Sequence, residues 1–254
     1  MYQRYVALGD SSTEGLDDPD GQGGYRGWAN RLAERIAAAQ GSLRYANLAV
    51  RGRSTREIRD EQLQAALALR PDLVTLFSGT NDVIRRQFDA DAVAADILAM
   101  HRALIGQGAT LLTFTLPDLS PVMPVARWLT PRVTALNDAL RQICEATGGR
   151  LVDLARYAVA ADSRLWSDDR LHANAEGHAR IAAALAEALG IPDADAMWAE
   201  PLPELPQPGL AERLSGELAW WRVYLLPWMW GRLRGRASGA GLAAKRPQLL
   251  EVSL

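Results

Sequence analysis

Little in this chain can cross-link its loops or build a cysteine metal cluster. Of 254 residues only Cys144 is a cysteine, which excludes an internal disulfide and a cysteine metal cluster. The net charge is −2, from 28 basic and 30 acidic residues, and argues against a general nucleic-acid binder. No apolar run approaches the roughly 20 residues that span a bilayer. The first residues, Met1-Tyr2-Gln3-Arg4-Tyr5, enter a strand pattern without the charged, apolar and small-residue regions of a secretory leader, so the expected compartment is the cytoplasm. Histidine, the usual general base, occurs three times, at 101, 172 and 178. Hydrophobic residues, at 48%, are enough for a full core, and the length favours one domain with an extension.

Strand and helix patterns alternate along the first 190 residues. Val6-Ala7-Leu8 is an apolar run that breaks at Gly9-Asp10-Ser11. Apolar residues at helical spacing follow (Trp28, Leu32, Ile36), ended by Gly41. Further strands are expected at 43–50, 72–77, 110–115 and 150–154, with helices at 55–69, 90–105, 132–147 and 175–189. The proline-rich stretch 116–131 reads as a long loop. Five strands interleaved with helices predict an α/β fold, a three-layer flavodoxin-like sandwich with a five-stranded parallel sheet. From Pro192 the composition shifts. Residues 1–191 read as the main domain and 192–208 as a stiff proline-rich linker. Residues 209–254 read as a Trp/Arg-rich extension, helical and then irregular.

Open α/β sheets bind ligands at the carboxyl ends of their strands, and the polar residues of interest fall there. Ser11 follows the first strand and is either a nucleophile or a helix cap. His101 and His178 lie within helices, whereas His172 lies in a loop after the fifth strand with Asp169 three residues before it. That pair suits a base and its orienting acid, or the caps of the helix that follows. Asp168 competes with Asp169 for the acid's place. Gly52, after the second strand, offers a backbone N–H or simply makes a turn. Asn81, after the third, offers a side-chain amide or caps a helix.

Gly9-Asp10-Ser11, the Gly52 that closes Asn47-Leu48-Ala49-Val50-Arg51-Gly52, Gly79-Thr80-Asn81-Asp82 and Asp169-Arg170-Leu171-His172 resemble, in order, the four blocks of the SGNH hydrolases, or GDSL-type lipases and esterases. The resemblance spans residues 5 to about 190 and includes Gly24-Tyr25-Arg26-Gly27-Trp28. It implies a catalytic triad of Ser11, Asp169 and His172. It also implies an oxyanion hole from the Ser11 N–H, the Gly52 N–H and the Asn81 side chain, and ester hydrolysis through an acyl-enzyme without metal or organic cofactor. The substrate expected is a small or short-chain acyl ester. An acyltransferase with the same intermediate is the alternative. A non-catalytic flavodoxin-like binding protein is a more distant one, because no Gly-x-Gly-x-x-Gly follows a strand. The Gly-x-Ser-x-Gly of α/β-hydrolases is absent around Ser11.

In the extension Leu210, Leu214, Leu218, Trp221 and Leu225 recur at helical spacing, beside Trp220, Trp228 and Trp230 and seven basic residues against three acidic ones. This pattern suits peripheral membrane contact, self-association, or packing on the main domain. Gly235-Arg236-Ala237-Ser238-Gly239 and Lys245-Arg246-Pro247 resemble the ends of some SGNH proteins.

Overall fold

The computed structural model describes residues 1–206, 209–233, 239 and 241–253. The sequence patterns at Pro208, Arg234, Arg236, Ala237 and Ser238 lie outside them, as do the side chains of Leu210, Trp228 and Arg232. Among the described residues one sheet runs through the molecule. Its strands are β1 (Arg4–Gly9), β2 (Arg44–Asn47), β3 (Leu73–Phe77), β4 (Thr110–Phe114), β5 (Arg150–Val152) and β6 (Arg246–Glu251), in the order β5-β4-β3-β1-β2-β6. The first five are parallel and their order is that of a flavodoxin-like doubly wound sheet. Helices α2 (Gly27–Gln40) and α7 (Ala175–Leu189) pack on each other, while α3 (Thr55–Ala68), α5 (Ala90–Gly106) and α6 (Thr130–Thr147) pack in series. Short helices α1 (Ser11–Glu14) and α4 (Thr80–Ile84) follow β1 and β3 directly.

The expected apolar face of α2 is real: Trp28, Leu32 and Ile36 are fully buried. Strand β2 is shorter than its apolar pattern because Asn47 turns the chain. Its Nδ2 donates to the Thr13 carbonyl (2.8 Å), and its Oδ1 accepts the Ala49 N–H (3.0 Å). Past it only the Leu48 N–H, on the Ala7 carbonyl (2.9 Å), and the Val50 N–H, on the Gly9 carbonyl (3.4 Å), still reach β1.

The sheet has six strands where the sequence predicts five, and the sixth is antiparallel. Strand β6 pairs with β2, Arg44 opposite Glu251 and Tyr45 opposite Leu250. Its sequence, Arg-Pro-Gln-Leu-Leu-Glu, hides the strand, since Pro247 lacks an N–H and no alternation is visible. An edge position tolerates both, because one side of the strand needs no ladder partner. Just before β6, Lys245 turns inward. Its ammonium donates to the carbonyls of Glu14 (2.7 Å) and Arg26 (2.9 Å) and to Asn30 Oδ1 (3.2 Å). Burial lowers its pKa to about 8, opposed by nearby carboxylates. The cation thus meets the unsatisfied carbonyl end of α1. Lys245→Met keeps the stem and removes these donors. It is expected to cost about 1–3 kcal/mol, read as a lower urea midpoint at unchanged slope; an unchanged midpoint refutes this anchoring.

Candidate active site

Gly9 is where β1 must turn sharply while lying against β3. A Cβ there would fall 2.1 Å from Thr13 Oγ1 and 2.7 Å from the Phe77 carbonyl, so only glycine lets the strand end and α1 approach so closely. Gln62 of α3 completes the turn. Its Oε1 accepts the Gly9 N–H (2.9 Å) and its Nε2 donates to the Gly9 carbonyl (2.8 Å). Asp10 then caps α1, accepting the Ser12 N–H at 3.1 Å, and Ser11 is the first helical residue.

The loop carrying His172 is closed by an antiparallel bridge between Trp166 and Ala173 and by the Ser167 N–H on the His172 carbonyl (2.8 Å). Inside it, Asp169 Oδ1 accepts the backbone N–H groups of Leu171 (2.8 Å) and His172 (2.9 Å). Between them Arg170 takes a left-handed φ of 61°. Asp169 Oδ2 stands 2.6 Å from His172 Nδ1, and His172 Nε2 stands 2.8 Å from Ser11 Oγ. Three residues separated by up to 161 positions form one line. With Nδ1–H donating to Asp169, Nε2 is free to accept the Ser11 hydroxyl proton.

Two further groups join this line without being foreseen. Asp17 Oδ2 lies 3.8 Å from His172 Nδ1, and Ser167 Oγ is 2.7 Å from both Asp17 Oδ2 and Asp169 Oδ1, with one hydrogen to give. Asp168, the competing acid, makes no hydrogen bond to the ring. Burial works to discharge both partners, but the His172–Asp169 hydrogen bond and charge attraction prevail. They hold Asp169 well below the carboxylate range and raise His172 above its ordinary 6.5.

Asn81 and Gly52 reach the same edge indirectly. Asn81 Nδ2 donates to Asp10 Oδ2 (3.0 Å) and to the Arg53 carbonyl (3.1 Å), so both its hydrogens are engaged beside Ser11 and Gly52 respectively. Gly52 has φ 79°, a turn that suits glycine. It follows Arg51, whose N–H donates to Glu14 Oε2 (2.9 Å) and whose guanidinium pairs with the same carboxylate. Asp10 is buried, which raises its pKa to about 6.

The other histidines are buried and brace the fold. His178 Nδ1 accepts the Trp28 N–H (3.1 Å) while Nε2 donates to the Leu16 carbonyl (2.9 Å). His101 Nδ1 meets Thr147 Oγ1 at 3.2 Å. Burial lowers each to about 4, so both are neutral near pH 7.

Ser11 and His172 open into a cavity of about 750 Å³. Its walls include Phe77, Phe114, Leu116, Leu129 and Leu165 of the first 191 residues and Trp220, Trp221, Tyr224 and Leu225 from beyond them. Trp221 and Leu225 belong to the helical stripe read from the sequence, whereas Trp220 and Tyr224 lie outside it and the stripe's Leu214 and Leu218 are exposed.

A model of the GDSL-like Lipase/Acylhydrolase family matches residues 7–180. No curated protein sequence matches significantly. Among solved structures the chain is similar to the lipase/acylhydrolase from Enterococcus faecalis, at 22% identity and a TM-score of 0.62 over 74% of this chain and 95% of that one. It is similar to TesA at 20% identity and 0.61, covering 74% and 98%. It is also similar to a catalytic mutant of Axe2, an acetylxylan esterase from Geobacillus stearothermophilus, at 18% identity and 0.61, covering 79% and 97%. At such identities these structures speak for the shared fold.

Proposed function

Because the chain belongs to the GDSL-like lipase/acylhydrolase family and is thereby a carboxylic ester hydrolase, we propose that it cleaves its ester through an acyl-enzyme on Ser11. The observation that carries this reading is the line from Ser11 Oγ through the His172 ring to Asp169, with contacts of 2.8 and 2.6 Å. Nε2 takes the hydroxyl proton as Oγ bonds to the carbonyl carbon. The imidazolium, stabilised by Asp169, then protonates the departing alkoxide. Water then bonds to the acyl carbon as Nε2 takes one of its protons, and that proton passes to Ser11 Oγ as the acyl bond breaks, releasing the acid and restoring the enzyme.

The Ser11 N–H, the Gly52 N–H and Asn81 Nδ2 are assigned to the oxyanion. Asn81 holds a neutral carbonyl, that of Arg53, with one of its hydrogens. A developing oxyanion is the stronger acceptor and competes for it. Hydrolysis is preferred to acyl transfer on family membership; transfer product on adding alcohol or sugar acceptors would reverse that preference.

The base works only when neutral, and its pKa lies above 6.5 in the folded protein. Activity should therefore fall as pH drops through a midpoint above about 6.5, approaching tenfold per unit below it. The check is kcat/KM on a chromogenic acetyl ester, and a profile flat from about pH 5 to about pH 8 removes imidazole from the mechanism.

No helix among the described residues is long and apolar enough to cross a membrane. Leu214, Leu218, Val223 and Leu226 are exposed on the extension and support its contact with a lipid surface or a second copy of the chain. Co-sedimentation with anionic vesicles supports the first, and a dimer by light scattering supports the second. A monomer that ignores vesicles refutes both.

A further inference from the structure

The wall of the cavity contributed by residues 220–225 comes from α8 (Leu210–Trp220) and a π-helical turn, Trp221–Leu225, that continues into α9 (Leu226–Leu233). Pro227 has no N–H for the carbonyl four residues back, which favours a wider turn here. The Leu226 N–H accordingly reaches the Trp221 carbonyl. Trp220 is turned inward at 6% exposed and Tyr224 and Leu225 are half-buried, while Trp221, Leu214 and Leu218 are 44%, 57% and 68% exposed.

We propose that α8 and its π-helical turn are a lid that completes a site for an ester bearing an extended aliphatic chain, with Arg170 tying the lid to the base loop. The proposal rests on the Ser11 acyl-enzyme reading. Its first support is the chemistry of the wall. Apart from the nucleophile and base segments, the charged residues of the lining are Asp118 and Arg180. Asp118 already accepts from the Ser120 N–H and hydroxyl, and Arg180 already binds Glu176 and the carbonyls of Trp198 and Glu200. A sugar or peptide would find few partners there for its many hydroxyls or amides, whereas a hydrocarbon chain needs none.

The second support is the latch. Arg170 sits between Asp169 and His172 in a left-handed conformation that a bulky residue adopts only under restraint. Its guanidinium donates to Glu217 Oε1 of α8 (2.7 Å) and lies 4.7 Å over the Trp220 ring. Lid closure and the geometry of the base loop are therefore coupled through one side chain. Trp220 Nε1 is buried without an acceptor among the described residues, a penalty on the closed state that suits a lid that must also open.

The chain of the substrate can lie on the acyl or the alcohol side, and the full-length protein distinguishes them. The measurements are kcat/KM for p-nitrophenyl acetate, butyrate and octanoate, and acid release from ethyl and octyl acetate. We expect about a fourfold rise per methylene over the first additions in one of the two series, equivalent to about 0.8 kcal/mol each. The series that rises identifies the side. Trp220→Ala should lower the long-to-short ratio in that series by about tenfold or more. Glu217→Gln, outside the cavity wall, should lower it about twofold to fivefold. Leu218→Ala, on the exposed face, should keep the ratio.

Flat chain-length profiles alongside Ser11-dependent acetate turnover overturn the lid and leave the acyl-enzyme reading standing. Equal losses on short and long esters in both Trp220→Ala and Glu217→Gln also overturn it. Acetate turnover that survives Ser11→Ala, or no turnover of any ester, removes the reading beneath it.

Discussion

Ser11→Ala will lower kcat on a chromogenic acetyl ester by about 10⁴- to 10⁶-fold, and His172→Ala will do nearly the same. The size follows from how the pair shares one event. Without the hydroxyl no acyl-enzyme forms, and without the ring the hydroxyl keeps its proton at neutral pH. The double variant should then be no slower than the worse single one, because each change already removes the whole step. Neither side chain supports the core: Gly9 and Asp10 are held by Gln62, Ser12 and Asn81, and the His172 loop is closed by backbone bonds. Thermal midpoints should therefore stay near wild type. Substantial turnover by Ser11→Ala refutes the nucleophile, and additive losses in the double variant refute the shared step.

Asp169→Asn should cost about 10⁴-fold at neutral pH with little change in structure. Asparagine keeps an oxygen for the Leu171 and His172 N–H groups, which Asp169 Oδ1 now accepts. In place of the other oxygen it offers an amide N–H to Nδ1. The ring then carries its proton on Nε2, facing Ser11, and cannot act as a base. The pH profile adds a second readout. Burial alone lowers the pKa of His172, and Asp169 supplies the largest opposing contribution, so the acid limb should move to lower pH in the variant. Asp168→Asn is the matched control, one residue away and without a bond to the ring, and should change kcat by a few-fold at most. Equal losses from the two changes refute the assignment of Asp169.

Most of this site was legible because each part sits where a strand pattern fails. The apolar run 6–8 breaks at Gly9 and the run 73–77 breaks before Asn81, and a parallel sheet aligns those breaks on one edge. The spacing of Asp169 and His172 is local, so a short loop can be read without knowing the fold. What escaped has long-range causes. Asp17 and Ser167, which bracket the base, meet across 150 residues. Leucines at helical spacing predict one packing face for α8, but Arg170 and the cavity attract the aromatic Trp220 instead. Strand β6 was hidden by Pro247 and by half-exposed leucines that show no alternation. Lys245 is the only lysine among 28 basic residues. An ammonium where arginine is otherwise universal points to a place that fits a compact, three-donor cation.

The ammonium that holds the end of the nucleophile helix arrives 231 residues after the carbonyl it binds. During translation the serine turn leaves the ribosome well before its anchor does. A nascent chain that already contains every block of the hydrolase signature still lacks that clamp and the strand beside it. Full assembly of the reactive centre therefore waits until that later stretch has been made. A fragment trimmed to the signature would correspond to that unfinished intermediate.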